Sequence, residues 1–268
     1  MASFSVVSNI ASINAQANLQ ATNLGLNKAI TRLSSGLRIN FAGDDAAGLA
    51  VANAYRNDVA ILNQGVRNAN DGLSVLQIKD GALGNVATLI DRLATLASQA
   101  SSSSNGVDIG KLQDEYNSIL EEIDREVAVA GADQQTDFSV FISNEATVAD
   151  GVVTGTIDAA DTASLGLNTA SWTTAADAQA SLQELSAAVD TLGDVQNTIG
   201  TLENRLAFAI SLATSQVVNT KAAESRIRDA NIAEESANLT RYNILSQSGI
   251  AALAQANNLS GNVLALLR

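Results

Sequence analysis

The side chains with the clearest capacity for chemistry are two adjacent carboxylates, Asp44 and Asp45, which follow Arg38 in the stretch "SSGLRINFAGDDAAGLAVA". Paired carboxylates can hold a divalent cation or cap the first turn of a helix. No further metal ligand lies close in the sequence, and an alanine-rich helical segment begins directly after the pair. Capping is therefore the favoured interpretation, and a metal site is the alternative.

The composition excludes most other chemistry. The chain contains neither Cys nor His, so disulfides, thiolate nucleophiles, histidine bases and the usual zinc, copper and haem ligands are absent. No phosphate-binding loop, dinucleotide fingerprint or serine-hydrolase elbow occurs in the sequence. We therefore expect a protein without catalytic activity and without a cofactor.

Charge is unevenly distributed along the chain. The net charge is −13. Residues 1–43 carry three basic and no acidic side chains, and residues 225–268 carry four basic and three acidic ones, whereas residues 44–224 carry eight basic and 25 acidic ones. This pattern predicts ends that face protein and a middle that faces water. Nucleic acid is not expected as a partner of so acidic a chain.

The N-terminal residues lack the basic and apolar regions of a cleaved signal peptide. No run approaches the roughly 18 apolar residues that a membrane-spanning helix needs. We expect no membrane span, and export, if it occurs, by another kind of signal.

Long helices are predicted because proline is absent and Ala, Leu, Gln and Glu are frequent. A stripe with alternating steps of three and four follows the spacing of a coiled-coil seam. Its members are Leu182, Leu185, Val189, Leu192, Gln196, Ile199, Glu203, Leu206, Ile210, Ala213 and Val217. Such a stripe needs a helical partner to cover it.

The N-terminal half supplies that partner. An apolar residue recurs every seven positions from Leu76 to Ala97, and Val86 and Leu93 lie beside this series. Gly72, Gly81 and Gly84 interrupt the segment, which predicts close approach of a neighbouring helix. A third helix is predicted over 109–130, and two short strands within about 136–172 are predicted to form a hairpin-like insert. The fold class is therefore mainly α, with a long antiparallel helical bundle and a small β-hairpin.

Both ends carry thin apolar stripes that rest heavily on alanine. The N-terminal stripe includes Ile10, Ile13, Ala17, Leu24, Ile30, Leu33 and Leu37; the C-terminal stripe includes Tyr242, Leu245, Gly249, Ala252, Ala256, Leu259, Val263 and Leu266. Helices with so little apolar surface are marginal alone. They either become ordered only with partners or pair with each other within one chain. Between the first helix and the body, Gly36 is predicted to end the helix in the left-handed conformation.

Three long motifs resemble bacterial flagellins. They are "RLSSGLRIN" with "DDAAGLAVA" within 32–52, "RNANDGLSVLQ" at 67–77, and "ESRIRDANIAEESANLTRYNILSQSGIAALAQANNLSGNVLALLR" at 224–268. The resemblance covers about 1–130 and 180–268, whereas 131–175 matches only loosely. It implies a short flagellin that lacks large outer domains.

The resemblance also implies how the chain is organised. Residues 1–35 would form an inner-tube helix and 36–45 a spoke that includes Arg38, Asp44 and Asp45. Residues 46–224 would form the outer-tube domain with its small β insert, and 225–268 a second spoke and inner-tube helix. The subunit interfaces would lie on the terminal helices.

Function follows from the same resemblance. It implies a structural subunit of an extracellular flagellar filament for swimming motility, exported through a type III apparatus. The implied partners are further copies of the chain, the cap and hook-junction proteins, and a secretion chaperone at the C-terminal end. An innate immune receptor recognises some flagellins through a surface to which Arg92, Leu96 and Glu115 correspond. Ala94 and Thr95 depart from that motif.

Two other classes of protein compete with the filament subunit. A hook–filament junction protein shares the terminal helices but forms a short ring. A secreted helical adhesin or receptor ligand would act as a monomer and would tolerate removal of residues 1–40, whereas a filament subunit would lose assembly.

Overall fold

The computed structural model describes residues 9–102, 108–143, 151–167 and 172–266, with side chains as far as residue 258. In chain order the described elements are α1 (Ile10–Ser35), α2 (Ala46–Ser101), α3 (Ile109–Ala130), β1 (Thr136–Phe141), β2 (Val152–Ile157), α4 (Ala175–Arg228) and α5 (Ile232–Leu266). This confirms the predicted mainly α class, the third helix and the small hairpin. No helix among the described residues is long and apolar enough to cross a membrane.

The chain divides into two compact units. A terminal unit comprises Met1–Asn57 and Asn219–Arg268, and a central unit comprises Asp58–Val218. Helices α2 and α4 contribute residues to both units.

Helix boundaries follow the local capping chemistry. α1 ends where Gly36 adopts φ 72° and its N–H bonds to the Arg32 carbonyl, which confirms the predicted glycine stop. α3 ends in the same way at Gly131, with φ 64°. At the start of α2 the Asp45 carboxylate accepts the Gly48 N–H at 2.9 Å. Asp45 is therefore the aspartate that caps this helix.

Two heptad series on α2 build one side of the central core. One series consists of Leu62, Ala69, Leu76, Leu83, Ile90 and Ala97, all buried as part of a single hydrophobic cluster. The second series contains Gly65, Gly72, Lys79, Val86, Leu93 and Ala100, which are also buried. The prediction of a buried seam on this helix is confirmed, and it extends further towards the N-terminus than expected.

Lys79 occupies a core position of the second series although it is charged. Its Nζ donates to the carbonyl of Gly131, the residue that ends α3. A cation there complements the negative end of the α3 dipole. Burial lowers the pKa of Lys79, and Asp133 partly opposes the shift. The lysine thus joins α2 to the turn that leads into β1.

On α4 the predicted seam is partly confirmed. Leu185, Leu192, Ile199, Leu206 and Ala213 are buried as expected. In the companion row, Leu182, Ile210 and Val217 are partly buried against the core, whereas Val189 is 49% exposed. The fully buried residues beside this row lie one position earlier, at Ser181, Ala188, Val195 and Leu202. Gln196 and Glu203 in the predicted row are polar and only partly buried. Two polar residues in one row indicate that this row does not lie at the centre of the core.

The hairpin is antiparallel, with Thr136 opposite Ile157 and Phe141 opposite Val152. It packs onto glycines of α2. A Cβ at Gly65 would lie 2.1 Å from the carbonyl oxygen of Ile142, and a Cβ at Gly72 would lie 2.8 Å from Val140 Cγ2. The close approach predicted at Gly72 exists, but a strand makes it rather than a helix.

The same prediction is wrong for Gly81 and Gly84. Among the described residues, no atom beyond the adjacent residues and the nearby backbone of α2 itself lies within 4 Å of a Cβ built at either position. These glycines therefore do not accommodate a neighbour there.

Trp172 closes one end of the central core. Its ring centroid lies 4.8 Å from that of Tyr116, and its Nε1 donates to Ser181 Oγ at 2.9 Å. The backbone N–H of Trp172 donates to Gln113. A loop thereby becomes part of the core between α3 and α4.

Candidate functional site

The terminal unit is built on the antiparallel pair α1 and α5. Tyr242 of α5 packs on the backbone of Gly25, where a Cβ would lie 2.6 Å from the ring. Leu19 of α1 packs in the same way beside Gly249 of α5. Small residues thus allow two alanine-rich helices to meet closely. Of the two interpretations of the ends, pairing within one chain is the one that the structure shows.

Polar contacts fix the register of this pair. Asn9 Nδ2 donates to the Ala256 carbonyl at 2.7 Å, and Ser12 Oγ donates to Asn257 Oδ1 at 2.9 Å. At the other end of the pair, Arg32 Nη1 lies 3.0 Å from Glu235 Oε1, and Glu235 is only 8% exposed. A largely buried ion pair costs stability when one partner is lost, so it favours this single alignment.

The terminal unit leaves much of its apolar surface uncovered. Of the predicted interface residues, Ile10, Ile13, Leu24 and Leu245 are exposed, whereas Leu33 and Tyr242 are partly buried. The side chains of Leu259, Val263 and Leu266 lie outside those that the structure describes. Further large apolar side chains are exposed on the same two helices, namely Ile30, Ile232, Ile244 and Ile250. Ile30 belongs to the predicted N-terminal stripe, whereas the predicted C-terminal stripe missed the other three, although their hydrophobicity identifies them.

The segments that follow α1 and precede α5 cross-link each other. Leu37 and Asp229 form an antiparallel bridge, in which the Arg38 N–H donates to the Arg228 carbonyl and the Ala230 N–H to the Gly36 carbonyl. Each arginine then reaches across the bridge. Arg38 Nη2 donates to the Ile227 carbonyl at 2.9 Å, and Arg228 Nε donates to the Ile39 carbonyl at 3.4 Å. Sequence reasoning missed this bridge, because it joins residues about 190 positions apart.

Asp44 holds the turn between α1 and α2. Its carboxylate lies 3.2 Å from Lys28 Nζ and accepts the N–H groups of Asn40 and Phe41. The hydrogen bond from Lys28, followed by that from Asn40, lowers the pKa of Asp44. The two adjacent aspartates therefore have different roles, since Asp44 closes the turn and Asp45 caps α2. Among the described residues no group of acidic side chains is arranged to hold a metal ion.

The three residues of the predicted receptor surface are not equally accessible. Arg92 Nη2 and Glu115 Oε1 form an exposed ion pair at 2.5 Å. Leu96, however, is 1% exposed and belongs to the central core. Leu93, one helical turn earlier, and the adjacent Ala97 are buried too, so the α2 face that carries Leu96 points inward. Leu96 is therefore not available as a contact on this surface.

The chain is a protein of long helices whose two ends pair with each other. Its uncovered apolar side chains are typical of a subunit that associates with other proteins. The chain matches the model of the bacterial flagellin N-terminal helical region over residues 6–134 and that of the C-terminal helical region over 182–267. The chain belongs to the bacterial flagellin family.

Individual relatives match across almost the whole chain. It is 36% identical to the flagellin of Halalkalibacterium halodurans over 264 residues, which cover 92% of this chain and 95% of that one. It is 34% identical to the flagellar filament 33 kDa core protein of Treponema phagedenis, over 97% of this chain and 98% of that one. The crystal structure of Bacillus cereus flagellin is 29% identical, with a TM-score of 0.47 over 59% of this chain and 94% of that chain.

Proposed function

We propose that this chain is a structural subunit of the bacterial flagellar filament, and that copies of it assemble into the helical polymer that drives swimming. One observation carries this conclusion. Both terminal regions match the flagellin family, and relatives named flagellin or flagellar filament core protein align over more than nine-tenths of the chain.

The surface of the terminal unit supports assembly. Ile10, Ile13 and Leu24 on α1, and Ile244 and Leu245 on α5, leave apolar area in water that association would cover. Identical subunits that contact one another through two different patches build an open helical polymer when the rotation between neighbours does not close a ring. We infer that the terminal helices form the inner layer of that polymer and that 36–45 acts as the spoke.

The proposal also covers the location of the protein and its partners. The finished filament would lie outside the cell, after export through a type III apparatus with a secretion chaperone bound to the C-terminal end. The cap and hook-junction proteins would contact its two ends. The role is structural, and it needs neither catalysis nor a cofactor. The exposed pair Arg92 and Glu115 stays a candidate contact for an innate immune receptor.

The hook–filament junction protein is the competing assignment, but none of the relatives described above carries that name. Electron microscopy of the purified chain with and without short filament seeds tests the proposal. We expect long, uniform tubes that elongate from the seeds. Monomers that never elongate at raised concentration, or rings that stop growing, would contradict it.

A further inference from the structure

A carboxylate without a partner lies beside the core of the central unit. Glu203 follows the buried Leu202 on α4 and is itself partly buried. Its Oε1 atom is shielded from solvent and has no hydrogen-bond partner among the described residues. A buried carboxylate that lacks both a donor and a cation is costly in its ionised form. The charged groups around Glu203 therefore decide how much this ionisation costs.

Neither α4 nor the hairpin compensates this carboxylate. No Lys or Arg occurs in the sequence between Arg125 and Arg205. Arg205 lies two positions after Glu203, and its Nη1 donates to the Thr154 carbonyl of β2 at 2.8 Å. The strands β1 and β2 carry one charged side chain, which is the acidic Asp137. The residues three and four positions from Glu203 on α4 are uncharged, namely Ile199, Gly200, Leu206 and Ala207.

From α2, Glu203 meets a charge of its own sign. Asp80 of α2 acts on Glu203 by electrostatic repulsion. Lys79, next to Asp80, is engaged elsewhere, because its Nζ donates to the Gly131 carbonyl. Asp133, in the turn that follows α3, is acidic as well and acts on that lysine. Burial and a like charge thus both oppose the ionised form of Glu203.

We propose that Glu203 is a proton-sensitive switch in the packing of α4 against α2. The ionised carboxylate weakens this packing at neutral pH. Uptake of one proton removes the buried charge and its repulsion from Asp80, and the packing becomes more stable. The switch lies within a single chain and goes beyond the filament function, so the monomer is sufficient to test it.

Protonation of Glu203 is expected to stabilise the central unit. Burial, and then repulsion from Asp80, raises the pKa of Glu203 from its ordinary value of 4.5. Between these two values the folded chain binds more protons at this group than the unfolded chain. This contribution to the free energy of unfolding therefore rises as the pH falls through the folded-state pKa, and it is complete below the ordinary value. Asp44 acts in the opposite direction, because its pKa is lowered.

Glu203→Gln tests the switch, because glutamine is uncharged at every pH and close in shape to the protonated acid. Thermal unfolding is followed by the fluorescence of Trp172, the single tryptophan, which lies in the central unit. At neutral pH, Glu203→Gln should raise the melting temperature by roughly 2–4 °C. At about pH 4 this advantage over the unmodified chain should fall below about 1 °C, since both chains are then largely uncharged at this position.

Glu184→Gln is the matched control, because it removes the same charge from an exposed position of the same helix. It measures the effect of net charge alone and should change the melting temperature by less than about 1 °C at either pH. Each variant is compared with the unmodified chain at the same pH, so that other ionising groups cancel. An advantage of Glu203→Gln that is equal at both pH values would overturn the proposal. An equal pH response of the two variants would do the same.

Carboxyl-carbon NMR of the unmodified monomer measures the group without a substitution at Glu203. Its signal should titrate with a midpoint above 4.5, the ordinary value for this side chain. Asp80→Asn should lower that midpoint, because the repelling charge is gone, and this variant should fold normally because Asp80 is exposed. A midpoint at or below the ordinary value in the unmodified chain would overturn the proposal even if Glu203→Gln failed to fold.

Discussion

At the scale of single residues, glycines determine where the hairpin can lie on α2. Gly65 and Gly72 occupy heptad positions that hold Val86, Leu93 and Ala100 further along the helix. Their missing side chains make the space that Ile142 and Val140 fill. From the sequence these glycines indicated only that something approaches closely. Which element approaches depends on contacts across more than 60 residues, and helical periodicity contains no information about them.

Gly65→Ala should destabilise the central unit by about 1–3 kcal/mol, because the new Cβ would collide with the backbone of Ile142. Gly81→Ala is the matched control, since a Cβ there meets no described atom within 4 Å beyond the adjacent residues and the nearby backbone of α2 itself. It should stabilise the helix by about 0.5–1 kcal/mol, the usual gain when a glycine inside a helix becomes alanine. Urea unfolding monitored by circular dichroism measures both. Equal effects of the two substitutions would show that the hairpin does not rest on Gly65.

The free energy of unfolding is predicted to depend on the ionisation of Tyr116 at high pH. Its hydroxyl is buried without a hydrogen-bond partner among the described residues, and burial, reinforced by Glu184, raises its pKa to about 12 from 10.0. Between these two values the unfolded chain binds fewer protons at this group than the folded chain. The contribution of Tyr116 to the free energy of unfolding is therefore fully present below pH 10 and is lost as the pH rises towards 12.

Tyr116→Phe should remove that part of the decline. At neutral pH it should also stabilise the central unit by about 1 kcal/mol, because an unpaired buried hydroxyl is lost. Trp172, the single tryptophan, packs against this ring and reports unfolding by fluorescence. The comparison is the difference between the unmodified chain and the variant at each pH, so that other ionising groups cancel. An identical decline in both would mean that the Tyr116 hydroxyl reaches water.

At the scale of elements, the sequence predicts which segments are helical better than it predicts which face is buried. All the long helices follow from the absence of proline and the apolar periodicity. On α4, Val189 and Ala188 are both acceptable core residues, and hydrophobicity favours the larger one. The structure buries Ala188 instead. Both α2 and α4 contribute to one hydrophobic cluster, and which face of α4 this cluster covers is not visible from the sequence of α4 alone.

Leu206→Asp and Val189→Asp distinguish the two versions of the seam. Leu206 is fully buried, so Leu206→Asp should cost roughly 3–5 kcal/mol by placing an unpaired charge in the core. Val189 is half exposed, and Val189→Asp should change stability by less than about 1 kcal/mol. Thermal unfolding of the two variants side by side measures the contrast. A large loss at Val189 would restore the original assignment of the seam.

At the scale of the whole molecule, the two ends of the sequence form one unit although more than 160 residues separate them. Motifs at both ends indicated the family, and the three–four stripes indicated helices. Neither showed the Arg32–Glu235 pair or the bridge between Leu37 and Asp229. Such contacts depend on the fold, because the sequence around Arg32 or Glu235 has no feature that selects the other as its partner.

Removing residues 242–268 tests how the terminal unit serves assembly. The deletion takes away Tyr242, which packs on Gly25, and the exposed Leu245 and Ile250. The central unit, Asp58–Val218, contains none of the deleted residues. The truncated chain should therefore keep a cooperative, helical unfolding transition by circular dichroism while it fails to elongate filament seeds in electron microscopy. Elongation of the same seeds by the full-length chain is the control. Leu245→Gln in the full-length chain tests one exposed contact without removing the helix. Normal filaments from the truncated chain would show that α5 is dispensable and would require a different inner contact.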